Sequence, residues 1–178
     1  IRLLTRLIFC WFLQEKHLIP KDLFREHRLA KLLRDFRPES STFYRAILQN
    51  LFFGTLNQPV DDRAFRKRST TGGRDPNRGS TNLWRHEADF ASGADWPTQI
   101  ARVPFLNGGL FDCLDDKTNK KTDNFILDGF SDNPDEACHL PNLLFFGEST
   151  ENLSKEYGEQ DKKNARSKHA KVHGLIHI

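Results

Sequence analysis

Apolar residues recur at intervals of three and four between Leu3 and Leu18, as Leu4, Leu7, Ile8, Trp11 and Phe12, and Pro20 closes the run. Positions i, i+3, i+4 and i+7 share one face of an α-helix, so the segment predicts an amphipathic helix with that stripe turned inward. Asp22 stands where it can cap a second helix in which Leu29, Leu32, Leu33 and Phe36 share a face. Arg25, Arg28, Lys31 and Arg34 occupy much of the remainder, and Pro38 ends it. Ser40, Ser41 or Thr42 opens a third helix with Phe43, Ile47, Leu48, Leu51, Phe52 and Leu56 facing inward.

The pattern then changes. Large apolar residues thin out over 58–100, the stretch Thr70 to Thr81 is built from Thr, Gly, Arg, Asp, Pro, Asn and Ser, and its centre, Thr71 to Gly79, is turn chemistry without periodicity and predicts a mobile segment. Val103, Phe105, Leu106, Leu110 and Phe111 gather around Asn107, Gly108 and Gly109, predicting a tight buried turn at which glycine supplies backbone angles that a side chain forbids. Phe125 to Leu127 and Leu143 to Phe146 are short apolar runs that fit strands or helix starts equally. The fold class that follows is mainly α: a three-helix unit over residues 1–57, a loop-rich basic insertion over 58–100, and an α+β-like second part of the same connector domain over 101–178, truncated at both ends.

Composition narrows the class. A chain of 178 residues has room for one ordinary domain, and 48 of them are Leu, Ile, Val or Phe, above the level of roughly 20% that accompanies intrinsic disorder. Arg2, Thr5 and Arg6 break the apolar run at the start, so neither a membrane span nor a signal peptide is expected, and the chain reads as cytoplasmic. Cys10, Cys113 and Cys138 are odd in number and far apart, which excludes a disulfide framework and a paired-cysteine metal knuckle. Methionine is absent, in keeping with a piece of a longer protein. The net charge of +3 is uneven: residues 1–68 carry 14 Lys/Arg against 7 Asp/Glu, 113–161 carry 4 against 12, and 162–178 carry 5 against none. A basic first third can follow a phosphate backbone, and it can equally be the wet face of ordinary helices.

Candidate chemistry is sparse. Arg63, Arg66, Lys67, Arg68, Arg74 and Arg78 border the glycine-rich stretch, a composition suited to settling on phosphates, and are the candidate DNA-backbone contacts. His86, Glu87 and Asp89 place an imidazole near carboxylates, but three residues make no closed metal site and a surface ion pair with Arg85 is the simpler expectation. His169, His173 and His177 are spaced for one helical face that Gly174 interrupts, and Asp115, Asp116, Lys117, Lys120 and Lys121 read as a hydrated turn. Phosphate-cradling glycine loops and the serine nucleophile elbow are both missing, so no catalytic residue and no metal ligand set is nominated.

Three blocks carry a resemblance: Leu3 to Lys16; Phe43 to Asn57, reading FYRAILQNLFFGTLN; and Arg102 to Asp112, reading RVPFLNGGLFD. With Leu140 to Gly147 and the closing Gly174 to Ile178 they resemble, in the same order, the helical region ahead of the catalytic domain in large bacterial adenine-specific DNA methyltransferases. That group includes the type IIG restriction-modification enzymes and the methyltransferases of phage-exclusion systems. The resemblance implies a parent protein of bacterial defence that binds DNA, uses S-adenosylmethionine, and flips its target adenine into a tetrapeptide of Asn/Asp-Pro-Pro-Tyr/Phe. Neither the donor-binding loop nor that tetrapeptide is present here, since Asn133-Pro134-Asp135 and Asp75-Pro76-Asn77 lack the second proline and the aromatic. No cofactor is therefore expected in this chain. What is implied is a helical connector, with DNA reached through the parent and the methyltransferase and nuclease parts lying elsewhere. The alternative from another class is a protein-interaction helical module that does not bind DNA.

Overall fold

The computed structural model describes residues 1–67, 69, 76–77, 79–106, 108–115 and 126–147. Helix α1 spans Arg2–Glu15 and α2 spans Glu26–Leu32. The third helix, α3, is continuous but composite, π-helical at Phe43–Leu48, α-helical at Gln49–Leu51 and π-helical again at Phe52–Leu56. Two short helices follow, α4 at Trp96–Ile100 and α5 at Asn142–Phe146. Among the described residues there is no strand; extended pairing is limited to two isolated bridges, Leu33 with Phe90 and Phe65 with Trp84. The fold is mainly α; of the two short apolar runs that fit strands or helix starts, Leu143 to Phe146 lies in α5, Ile126 and Leu127 lie in neither, and Phe125 is outside the described residues.

Helix α3 is the axis of the core. Its residues are buried on every side apart from Arg45, which is half-buried, so it has no wet face at all. The wide π turns reach the fifth preceding carbonyl, as Gln49 N–H does to Tyr44. Side chains help to satisfy the backbone: Asn50 Nδ2 donates to the Ala46 carbonyl at 2.9 Å and Thr55 Oγ1 to that of Asn50 at 2.9 Å. Aromatic rings radiate from it, Phe43 against Phe145 and Phe146, Phe52 against Phe111, and Phe53 against Phe130.

Two sequence expectations change. The second helix is shorter than Asp22 to Phe36, because Leu33 turns extended and its neighbours pair with the 89–91 segment: Arg34 N–H to the Asp89 carbonyl and Ala91 N–H to that of Leu32, both at 2.9 Å. Asp22 makes an ion pair with Arg28 rather than a cap. The first helix forms with a rotated face inward, on which Leu7 is the one member of the expected stripe that packs against the core. Arg6, Cys10 and Leu13 are buried, while Leu4, Ile8, Trp11 and Phe12 remain 47%, 67%, 46% and 48% exposed. The described part of 58–100 sends Trp84, Phe90, Trp96 and Ile100 into the same core, and most of the stretch expected to be mobile, 70–75 and 78, lies outside the described residues.

Candidate functional site

The buried face of α1 is chosen by Arg6, whose guanidinium finds partners on every side. It pairs with Asp128 at 2.6 Å, donates from Nε to the Leu110 carbonyl and from Nη2 to the Asp112 carbonyl, both at 2.8 Å, and lies over the rings of Phe52 and Phe53. Charge, donors and aromatic faces are thereby satisfied together, which is the condition for burying an arginine. Asp128 in turn accepts Leu114 N–H at 2.9 Å, and its backbone carbonyl takes the Tyr44 hydroxyl at 3.1 Å and Gln49 Nε2 at 2.7 Å. Burial pushes the Tyr44 hydroxyl upward out of its ordinary range.

Segment 127–130 is organised by one carboxylate. Asp115 accepts four successive backbone N–H groups, those of Leu127, Asp128, Gly129 and Phe130, at 2.7–3.1 Å. Successive amides converging in this way form an anion nest, and the chain fills it with its own side chain. Gly129 makes the turn possible: its φ is +58°, and a Cβ there would lie 2.2 Å from Cys138 N.

Asn142 performs the comparable task at the start of α3. Its Oδ1 accepts Phe43 N–H at 3.0 Å and its Nδ2 reaches the Arg37 carbonyl, Ser40 and Thr42. The cap expected from Ser40, Ser41 or Thr42 is thus supplied from α5, 99 residues downstream. Asn50 pairs with both backbone groups of Arg85, giving Nδ2 to its carbonyl at 2.8 Å and accepting its N–H at 2.7 Å.

The sequence-derived candidates separate. Arg63 is spent on the ends of two helices, donating to the carbonyls of Thr55, Gln58 and Ile100, and burial lowers its proton affinity. Arg66 is joined to Asp132 at 3.0 Å. Lys67 stands on the surface, and Arg68, Arg74 and Arg78 lie outside the described residues. At the predicted turn, Asn107 also lies outside them. Gly108 is extended at φ −125°, and a Cβ on Gly108 or Gly109 meets only ordinary contacts, so special glycine angles are not what this turn uses. It is pinned instead by α1, with Arg2 donating to the Gly109 carbonyl and Arg6 to those of Leu110 and Asp112.

His86 has a left-handed backbone at φ 58° and opens a 3-10 turn at Glu87–Asp89. Its Nδ1 lies 3.1 Å from Arg45, whose guanidinium is 4.0 Å from Asp89, and burial raises the Asp89 carboxyl above the usual carboxylate range. The expected Arg85 ion pair does not form on the surface: Arg85 is buried over the Phe130 ring. Among the described residues no three His, Cys, Asp or Glu side chains are grouped to hold a metal ion. His169, His173 and His177 lie outside those residues, as do Asp116, Lys117, Lys120 and Lys121. Burial pushes the thiols of Cys10 and Cys113 up to about 12 and raises that of Cys138, so all three stay protonated at neutral pH. No helix among the described residues is long and apolar enough to cross a membrane.

Of the residues that matter most here, Arg6, Asn50, Asp128 and Asn142 match no motif, and Asp115, expected in a hydrated turn, is half-buried and gathers four backbone amides. Their one sequence signal is a polar residue set within or beside an apolar run.

Fold and site together define a helical unit whose buried polar side chains act on its own backbone. At the level of sequence it is similar to a Methanocaldococcus jannaschii protein whose name places it among type II restriction enzymes and methyltransferases, with 29% identity over 113 residues. The match covers 62% of this chain and 7% of that protein, so the chain corresponds to a small part of the relative's length. No family model matches, and no solved structure matches.

Proposed function

We propose that this chain is the helical connector of a restriction-modification protein of the adenine-methylating, type IIG kind. It holds the neighbouring parts of the parent in register and lends a backbone contact to DNA, without carrying out the chemistry itself. The observation that carries the reading is the use made of polar groups: buried Arg6, Asn50, Asp128 and Asn142 fasten segments far apart in sequence, and half-buried Asp115 gathers the amides of 127–130. Groups so committed hold distant segments together and are spent on the chain's own backbone rather than turned toward a substrate. The similarity to a restriction-modification protein supports the parentage. S-adenosylmethionine and the target adenine belong to the parent, whose cytoplasmic place follows from that role.

Lys67 is exposed beside the glycine-rich stretch, and with Arg68, Arg74 and Arg78 it remains the candidate contact to phosphates. Arg63 and Arg66 drop out of that set because their side chains are spent within the fold. Anisotropy of a labelled nonspecific duplex titrated at several salt concentrations tests this. Affinity should fall linearly on logarithmic axes with salt, and the slope should drop by about 1 for each contacting cation replaced by glutamine. Absence of binding at low salt would contradict the DNA contact and favour a module that meets only protein.

A further inference from the structure

Among the described residues, the outer face of α1 exposes apolar side chains in a continuous stripe. Leu4, Ile8, Trp11 and Phe12 recur at i, i+4, i+7 and i+8, and Phe9 extends the stripe at 36% exposure. The helix is not loosely attached: its inner face is fixed by the Arg6–Asp128 pair, by Cys10 and by Leu13. A helix held this firmly on one side while presenting large apolar residues on the other is a component of a second interface.

Area decides what covers it. Five side chains with about 100 Å² of exposed surface each give roughly 500 Å², near the upper end for the largest apolar patch of a monomer. Two copies stacked face to face would bury only about 1,000 Å² in total, the floor for a specific association between separate molecules. A segment joined to this one through the same polypeptide needs no such area, because tethering supplies an effective concentration in the millimolar range. The M. jannaschii relative has that organisation, since the matched stretch is 7% of its length.

We infer that the Leu4, Ile8, Trp11 and Phe12 stripe of α1 seats an apolar helix face from the remainder of the same restriction-modification polypeptide. This rests on the reading of the chain as part of a longer protein of that kind. The seat is built to hold an adjoining part at a fixed angle, with α1 as the shared element between two packed layers.

The test uses the full-length protein encoded by the reading frame that contains this segment. Two single-cysteine probes are introduced separately: Ile8→Cys on the stripe and Lys31→Cys on the exposed side of α2, each read by its rate of maleimide labelling above the slow background of the native thiols. The inference predicts that position 8 labels at least ten-fold more slowly than position 31. Equal rates in a full-length restriction-modification protein would overturn the inference and leave the connector reading standing. Slow labelling that speeds up on dilution would also overturn it, since a second copy would then be the occupant. A reading frame that encodes no restriction-modification protein would overturn the connector reading, and this inference with it.

Discussion

Arg6 and Asp128 meet at 2.6 Å where both side chains are shielded from water, and each is also bonded to backbone groups. Removing one partner of such a pair strands a charge. Asp128→Ala should therefore cost about 3–5 kcal/mol of stability, read as a lower urea midpoint. Replacing both partners, Arg6→Met with Asp128→Leu, should cost less than the single change, and a greater loss for the double variant would refute the account. Asp89 gives the opposite lesson. Burial raises its pKa, Arg45 opposes this, and Asp35 adds to it, so the folded state holds the proton more tightly than the unfolded one. Ionised Asp89 thus burdens the fold above its folded pKa, and the burden lifts as pH falls through that value. Asp89→Asn should unfold at higher urea than wild type at pH 7, with the advantage shrinking toward pH 4; an advantage that grew in acid would contradict the assignment. None of these roles is visible in sequence, because Arg6 and Asp128 are 122 residues apart and Asn142 caps a helix 99 residues upstream.

At the scale of elements, apolar spacing located α1 and α3 but not the direction in which α1 faces. Of the expected stripe, Leu7 packs against the core while Leu4, Ile8, Trp11 and Phe12 point outward, because a guanidinium over two phenyl rings and beside a carboxylate can be buried and the sequence does not reveal those partners. In α3 the expected inner positions are all buried, and so are Tyr44, Ala46, Gln49, Asn50, Phe53 and Thr55, since later segments cover the face that would otherwise be wet. Gly54 shows how closely they approach: a Cβ there would lie 2.4 Å from Cδ1 of Trp84, whose indole N–H donates to Thr55 at 3.1 Å. Gly54→Ala should displace Trp84, cost about 1–3 kcal/mol and alter the tryptophan emission. Unchanged stability and fluorescence would show that the close contact does not hold in solution.

For the whole molecule, helices, loops and the short α5 contribute to one core that reaches from Cys10 to Phe145. The mainly helical class was legible from periodicity, while the trans-acting caps and clamps that join the parts were not, because they depend on contacts between distant segments. The basic residues near the glycine-rich stretch illustrate the limit of composition: Arg63 and Arg66 look like Lys67 in sequence, yet the fold spends the first two on carbonyls and a carboxylate. In the proposed role this chain shapes and supports, and the reactive groups belong to the rest of a longer restriction-modification protein. That role is tested most directly by incubating the purified 178-residue chain with duplex DNA and S-adenosylmethionine radiolabelled on the methyl group, then counting label in adenine. Incorporation at the level of a protein-free control is the predicted result, and label transferred in proportion to the amount of chain would contradict the claim.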